Sequence, residues 1–600
     1  MSETQVMAAA PSAPETVPAR RPAYWLPPLL SILAIAAAFA RVTQMDFVYD
    51  DGVIVKGNRY IQSSRYILRY FTEHIWSYLM AAAKNYYRPT FLLWLYANYS
   101  VFQERPLGWH LTNLALHLGN ALLIYFLALR LTRARFAALA AMLLFGLHPI
   151  QVETVSWVCG STEVLGTLLA LAAFLCYLRA GDSPARRRLW LAGSLFLYAV
   201  AALAKETVLF YPGIVFLHEW LGRPAASHPI APRPWRDALR VSVRETIPFA
   251  LVGLGYIGMR LYALGGLGHH VVALTLRDSL LTIPYVLQCY VVHLVWPAGL
   301  SCFYDSVYVT TLSPVQVFLP LIVAVTAFVL LFAAVRRSPS GMLASFWLIL
   351  PLLPVLDVRV FPRNEFVHDR YFYHPMIGIS FLAALAIAWL ERSWCASPGP
   401  RRALRAAVLA VLAAHAVVTF RQTAYWENNY ALYTRGVAVA PHNAFANNNL
   451  GGVLLEQQKW AEAVAHLQEA LADVPNLYLA EYDLGIAYYE QGQYPEAEQH
   501  FARAVRIQPA DAGSHFFLGM TYLHTGRLEQ AIPEASRALA LNPEGAGYHF
   551  ALGVMLKQAG DIPDARAEFL AELKRDPQHK ASLEQLRLLQ PAPSPAANAK

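Results

Sequence analysis

The chain changes character once, near residue 440. Before that point long apolar runs alternate with short polar connectors. The runs lie at about 25–43, 109–131, 136–148, 162–179, 189–204, 207–221, 246–264, 314–335, 341–356, 371–390 and 403–420. Each approaches the roughly 20 residues that an α-helix needs to cross a bilayer. A twelfth apolar stretch, 279–297, is the exception. Arginine-rich connectors collect on the cytosolic side of membranes. Arg20-Arg21, Arg133/Arg135, Arg186–Arg188, Arg233/Arg236/Arg240/Arg244, Arg336-Arg337 and Arg401/Arg402/Arg405 share one side only if 279–297 does not cross, lying instead as a re-entrant or interfacial helix. The pattern predicts an all-α polytopic bundle of about 11 spans, with everything after residue 440 on the far side from the N-terminus.

Beyond residue 440 the apolar runs shorten and positions recur every 34 residues. Pro441, Pro475, Pro509, Pro543 and Pro577 keep that period, as do Leu450-Gly451, Leu484-Gly485, Leu518-Gly519 and Leu552-Gly553, and Ala463, Ala497, Ala531 and Ala565. Tyr488 and Tyr522 fill an aromatic slot that holds Leu454 and Leu556 in the outer repeats. This resembles the tetratricopeptide repeat, whose small residues let two helices pack closely while a proline ends the second. The expected element is an α-solenoid of four repeats over 441–580. The first helix of each such pair lines a concave groove. That phase places Asn448, Tyr482, Phe516 and Phe550 at one groove position, and Leu455, Tyr489, Leu523 and Lys557 at another. Rings that accept side chains and amides that bond backbone suit an extended peptide.

Composition sharpens the division. Only 15% of the chain is charged and 56% is hydrophobic, with mean hydropathy +0.35, against about 25% charged in soluble domains. A string of soluble domains is excluded. Residues 441–600 hold 12 Lys+Arg against 19 Asp+Glu, whereas residues 1–440 hold 36 against 21. The basic pI therefore belongs to a membrane body joined to an acidic soluble tail, not to a nucleic-acid binder. Five cysteines without a CxxC pair imply neither a disulfide framework nor a zinc site. Forty arginines against eight lysines fit a GC-rich bacterial genome.

With this orientation the candidate chemistry gathers on one side. The first external loop opens with Phe47-Val48-Tyr49-Asp50-Asp51-Gly52. Adjacent carboxylates at a membrane surface repel and lose solvation, which tunes one towards general-base work; alone, the motif also reads as a turn at a helix end. His148-Pro149, Glu153 and Glu163 follow the third span, Lys205-Glu206 is the whole connector between the fifth and sixth, and Asp369, Arg370 and Tyr371 precede the tenth. Charges at membrane depth are costly and mark function or structural ion pairs. An amphipathic stretch after Tyr86-Tyr87-Arg88-Pro89, Phe91–Phe102, suits the membrane interface.

These stretches carry a family resemblance. FVYDDG at 47–52, YYRPTFLLW at 86–94, GWHLTNLALHLGNALLIY at 108–125, HPIQVETVSWVCGSTEVL at 148–165, LAKETVLFYPG at 203–213 and DRYFYHPMIG at 369–378 resemble the GT-C class of membrane glycosyltransferases. Body plus repeats resembles the transmembrane and tetratricopeptide-repeat O-mannosyltransferases and their bacterial relatives. The resemblance implies a polyprenyl- or dolichyl-phosphate sugar donor, a hexose such as mannose, and a hydroxyl acceptor, Ser/Thr of an exported protein. It puts the catalytic base at Asp50 or Asp51. Arg88, Lys205 and Arg370 then become candidates for the donor phosphate, with His148, Glu153, Glu163, Glu206, Asp369 and Tyr371 in support. The repeats would hold the polypeptide acceptor at Asn448, Tyr482, Tyr489, Phe516 and Phe550. Where many relatives carry an arginine after the glycine, this chain has Ser161-Thr162-Glu163 after Gly160, so the phosphate falls to the other three cations. No cofactor is expected; a divalent metal on Asp50-Asp51 stays open.

The expected organisation is a disordered cytosolic leader at 1–22 followed by a membrane domain at 23–420, whose long first external loop occupies 45–108. A linker helix at 421–440, the repeats at 441–580 and a disordered tail at 581–600 complete it. The expected location is a bacterial inner membrane with periplasmic repeats, or an endoplasmic reticulum membrane with lumenal repeats. Two other function classes fit the same residues: a non-catalytic membrane scaffold whose repeats recruit partners, and a lipid-linked sugar transporter.

Overall fold

The computed structural model describes residues 25–79, 86–227, 233–266, 274–361, 365–395 and 397–589; the leader with Arg20-Arg21 lies outside them. Every regular element among the described residues is helical. The body contains α1 (Leu26–Ala38), α2 (Pro89–Phe102), α3 (Pro106–Thr132), α4 (Arg135–Leu147), α5 (Val152–Ser156), α6 (Ser161–Asp182), α7 (Arg187–Ala204) and α8 (Tyr211–Trp220). It continues with α9 (Trp235–Leu264), α10 (Leu276–Val295), α11 (Leu319–Val335), α12 (Pro339–Ile349), α13 (Pro375–Ser393), α14 (Pro398–Gln422) and α15 (Asn429–Val439). Proline opens the first turn of α1, α2, α3, α13 and α14, where its missing N–H has no intrahelical partner to lose.

Among the described residues nine helices are long and apolar enough to cross a membrane. Helix α4 and the Pro149–Ser156 segment, bent by 49°, make a tenth broken one, and α1 is shorter. Two elements depart from the hydropathy pattern. The run at 207–221 is not one helix but a 3₁₀ turn, Glu206–Phe210, leading into α8. It still joins the two faces of the bundle. Lys205 meets Glu163 at its start, and Ala225 and Ser227 meet Arg130, Arg133 and Asp182 beyond its end.

Helix α10 departs the other way: expected not to cross, it is long and apolar enough to do so. Near its C-terminus the Leu294 carbonyl bonds His148 and the Tyr290 hydroxyl bonds the His368 carbonyl. Nearer its start, Thr282 accepts from the Val309 N–H and Tyr285 donates to the Asp305 carbonyl. The chain around 305 is the segment on which the repeats dock, through Asn443 Nδ2 on the Tyr304 carbonyl.

Helices in lipid gain little from the hydrophobic effect and associate by close packing at small residues. A Cβ at Gly378 of α13 would fall 2.4 Å from the Leu348 backbone nitrogen of α12, and one at Gly146 of α4 would fall 2.3 Å from Ile35 of α1.

The array consists of α16 (Ala444–Glu456) with α17 (Trp460–Asp473), α18 (Tyr478–Glu490) with α19 (Tyr494–Ile507), α20 (Ala512–His524) with α21 (Leu528–Leu541), and α22 (Tyr548–Gln558) with α23 (Ile562–Arg575). The period read from the sequence is the period of contact. A Cβ at Gly451, Gly485 or Gly553 would fall 2.5–2.7 Å from Leu467, Phe501 or Phe569 on the paired helix. Ala463, Ala497, Ala531 and Ala565 are fully buried. Each repeat also carries one polar staple across its two helices, nineteen residues apart: Asn447–His466, Glu481–His500, His515–Glu534 and His549–Glu568.

The expected linker helix at 421–440 is interrupted. Helix α14 ends at Gln422, a 3₁₀ turn covers Thr423–Trp426, and α15 starts at an Asn428 cap that accepts from the Ala431 N–H at 2.9 Å. The expected disordered tail at 581–600 begins instead with α24 (Lys580–Leu588). Lys557 donates to Gln585 at 2.7 Å and Phe550 packs on His579. A terminal repeat exposes an apolar face that a further helix covers.

Candidate active site

The acidic loop is shaped by its partners rather than by its own sequence. Tyr49 adopts φ +56°, a left-handed conformation that is costly for a bulky residue. Its N–H is held by Asn429 Oδ1 at 2.9 Å, and the Asp46 N–H by the Glu427 carbonyl at 2.9 Å. The Tyr49 ring is bracketed by Trp157 and Phe303, and Phe303 packs on Tyr433 of α15. The acidic loop is thus fastened to the segment that leads into the repeats.

That geometry separates the two carboxylates. Asp51 is fully buried. Its Oδ1 accepts from the Cys159 N–H at 3.0 Å, and its Oδ2 from the Val158 and Val48 N–H groups at 3.3 and 3.4 Å. It ties the loop to the turn just before α6. Burial pushes its carboxyl up to about 7 against those bonds. Asp50 is half-buried, and no side-chain hydrogen bond or ion pair reaches it among the described residues. Burial raises it to about 6, with Arg370 opposing and Glu365 reinforcing.

The three expected phosphate cations stand on this face, and each already holds a carboxylate. Arg88 forks onto Glu206 through Nε at 2.9 Å and Nη2 at 2.6 Å. Lys205 Nζ lies 2.6 Å from Glu163, whose other oxygen is 3.2 Å from His374. Arg370 Nη1 meets Glu153 at 2.5 Å, and Glu153 also accepts the Arg370 N–H at 3.2 Å. The Arg370 guanidinium lies over Trp157 and Tyr371 at 5.1 and 5.0 Å, and that of Arg88 over Tyr86 at 4.3 Å. The carboxylates hold Arg88 and Arg370 charged, while burial and the neighbouring Arg88 lower Lys205.

Two supporting residues sit one layer away. Asp369 pairs with Tyr304 at 2.8 Å and His293 at 3.4 Å, bracing the segment on which the first repeat docks. His148 does not join the cluster. Its Nδ1 accepts the Ile150 N–H, its Nε2 meets the Leu294 carbonyl and its ring packs on His415, so it joins α4, α10 and α14. Asn113 of α3 pins the broken turn beneath the site by donating to the carbonyls of Thr154, Val155 and Trp157. Sequence inspection passed over Tyr49, Trp157, Glu365 and Asn429. The aromatic residues carry no spacing signal, and Asn429 reaches its partner across 380 residues.

In the array, Tyr482 packs on Phe501 and Phe517, Tyr489 on Tyr494, Phe517 and His524, Phe516 on Tyr548, and Phe550 on Phe569 and His579. These rings are half-buried, each with one edge spent on neighbouring helices. Asn448 is buried and its Oδ1 lacks a hydrogen-bond partner among the described residues. No group of three or more His, Cys, Asp or Glu side chains suited to a metal occurs among the described residues.

Comparison with known proteins bears on both halves. Family profiles described as tetratricopeptide repeat match residues 442–510, 482–539 and 526–580. The protein O-mannosyl-transferase Tmtc3 of Drosophila melanogaster is 28% identical over 523 residues, covering 74% of this chain and 55% of the relative. The mouse protein O-mannosyl-transferase TMTC3 is 25% identical over 473 residues, covering 74% and 50%. The chain thus spans about half the length of the curated relatives it matches. Among solved structures, YrrB, titled a TPR protein with an unusual peptide-binding site, is 23% identical, covers 26% of this chain and 81% of that one, with TM-score 0.25. Covering 74% of this chain, the first two matches extend well beyond the repeats into the apolar bundle, so body and repeats together are similar to proteins named O-mannosyl-transferases.

Proposed function

We propose that the protein transfers a hexose, mannose in the simplest case, from a polyprenyl-phosphate donor to a serine or threonine hydroxyl of an exported polypeptide. Asp50 is the base. The observation that carries this reading is the division of labour in the acidic pair: Asp51 is consumed by three backbone N–H groups, whereas Asp50 keeps its oxygens unengaged beside the Arg370 guanidinium. A base raised to about 6 is ionised at neutral pH yet more proton-hungry than an ordinary aspartate.

The acceptor hydroxyl gives its proton to Asp50 as its oxygen bonds the anomeric carbon. The bond from that carbon to the phosphate oxygen breaks, and the phosphate leaves with the electron pair. Arg370 and Arg88 face the growing charge. Their carboxylate partners fix each guanidinium in place, and its remaining N–H groups serve the phosphate better as charge accumulates. The repeats hold the acceptor polypeptide, and the strap from Ala298 to Tyr304, bonded to Arg435 and Asn443, holds the array against the acidic loop.

The test is transfer of radiolabelled mannose from polyprenyl-phosphate mannose to acceptor peptide by purified protein in lipid. Asp50→Asn should lower turnover about 10²–10⁴-fold with unchanged melting. Asp51→Asn should instead destabilise the body, because an amide cannot accept at every N–H that Asp51 serves. Equal activity in Asp50→Asn and the parent protein would sink the assignment. One observation favours a silent scaffold: each expected phosphate cation is already neutralised by a carboxylate. Donor binding without turnover in the parent protein is the outcome that reading requires.

A further inference from the structure

Asp483 of α18 is half-buried beside Tyr482, and no hydrogen bond or ion pair reaches it among the described residues. Across from it, on the first helix of the preceding repeat, stands Gly452, where a Cβ would lie 3.7 Å from Asp483 Oδ2. The following repeat offers Gly513, where a Cβ would meet the Tyr482 hydroxyl at 3.3 Å. The neighbouring helices thus present glycine backbone, Gly452 towards the Asp483 carboxylate and Gly513 towards the Tyr482 hydroxyl. Repeat packing does not call for the acid, since the equivalent positions hold Asn449, Phe517 and Ala551. Nearby Glu481 differs, being taken by His500 at 2.6 Å and Arg503 at 3.5 Å. Burial alone pushes Asp483 up to about 7, with no cation opposing it.

Resting on the reading that the repeats hold the acceptor, we propose that Asp483 selects a basic segment of that polypeptide by receiving the ammonium or guanidinium of a lysine or arginine side chain, the peptide running over Gly452 and Gly513. An unpaired, partly desolvated carboxylate is unfavourable by itself, and a charge-assisted bond from the ligand supplies what the fold leaves out. A neutral side chain in the slot leaves the acid unsatisfied, which turns one missing partner into discrimination. The acidic excess of residues 441–600, 19 against 12, draws cationic segments in the same direction.

The experiment is fluorescence anisotropy on the full chain in nanodiscs, with two extended nonapeptides that differ in one central residue, lysine or glutamine. The parent protein should bind the lysine peptide roughly tenfold more tightly at pH 8, the scale of a hydrogen bond to a charged group. The preference should shrink at pH 6, where Asp483 takes up its proton. The titratable groups around it are Tyr478 and Tyr482 on its own helix and Asp511 at the head of the next. Asp483→Asn, nearly isosteric and free of the buried charge, should melt no lower than the parent and bind both peptides alike at both pH values. Equal binding of the two peptides by the parent protein overturns the proposal while leaving the array as acceptor site intact. A lysine preference that survives in Asp483→Asn overturns it as well. If neither peptide binds and removal of 441–600 leaves transfer unchanged, this proposal and the reading beneath it fall together.

Discussion

The membrane body and the repeat array solve the problem of holding polar groups in place on different length scales. In the array, the polar staples join residues nineteen apart, one per repeat, and Gly451, Gly485, Gly519 and Gly553 each meet the helix that follows. In the body, Arg88 reaches Glu206 across 118 residues, Arg370 reaches Glu153 across 217, and Tyr49 reaches Asn429 across 380. The array can therefore lose or gain a repeat without disturbing the others, as quasi-one-dimensional folds do. The body's site exists only when segments from its whole length have assembled. A site built from long-range ion pairs is rigid, and a groove built from local repeats is the part free to vary with what it binds.

The sharpest way to break this contrast is to separate the two regions. Truncation after Ala440 keeps α15 and its contacts to the acidic loop but removes the groove. Transfer to a protein acceptor should fall on the order of 10²-fold, the loss expected when a tethered ligand becomes a free one, while transfer to a short free peptide at saturating concentration should persist. Loss of both activities together would mean that the array stabilises the body and the regions are not separable. Next in size is Glu153→Gln, which leaves the Arg370 guanidinium buried without its counter-charge. Breaking such a pair costs about 3–5 kcal/mol, so the body should melt earlier in calorimetry while the array transition stays put.

The reciprocal test is Gly485→Ala. Its Cβ would lie 2.5 Å from the Phe501 ring, and overpacking of this kind costs about 1–3 kcal/mol. The array should lose stability while transfer to the free short peptide is retained. A drop in that peptide activity equal to the stability loss would show that the two regions unfold as one. The smallest effect is the pH profile. Transfer by the parent protein should rise as pH passes through about 6 and then level off, since Asp50 acts as a base only when ionised. Asp51 gives the opposite slope for stability. Its folded-state pKa, about 7 against 3.8, means that the native state binds the extra proton between those values, so stability declines as pH rises across that window. Melting temperature and activity should therefore move in opposite directions between pH 5 and about 7. Parallel movement would show that groups other than these raised carboxyls set the stability slope.

Legibility followed the same division. The 34-residue period placed every repeat, because the glycine and staple contacts it encodes lie within one helix pair. The apolar runs located most of the helices long and apolar enough to cross, because burial in lipid is a property of each segment by itself. Hydropathy misjudged length at the Glu206–Trp220 segment, where a 3₁₀ turn joined to a short helix bridges the bundle. The charge pattern set α10 aside, yet that helix is apolar enough to cross and makes hydrogen bonds to residues 305, 309 and 368 along its length. The tail was misread because Lys580–Leu588 is polar in composition and needed only the exposed end of the last repeat to fold against.

By itself the sequence determined that the chain is a helical membrane body with a four-repeat acidic array, and that acidic and basic residues gather on one face. These follow from hydropathy, charge and period, which are properties of the chain read in order. Tertiary structure alone decided which aspartate is engaged and which is left with open oxygens. It also decided that Arg88, Lys205 and Arg370 each carry a carboxylate partner, that His148 is a joint rather than a site residue, and that Asp483 lies across from Gly452. Protonation and pairing depend on burial and on neighbours brought from hundreds of residues away, and no local pattern records those distances.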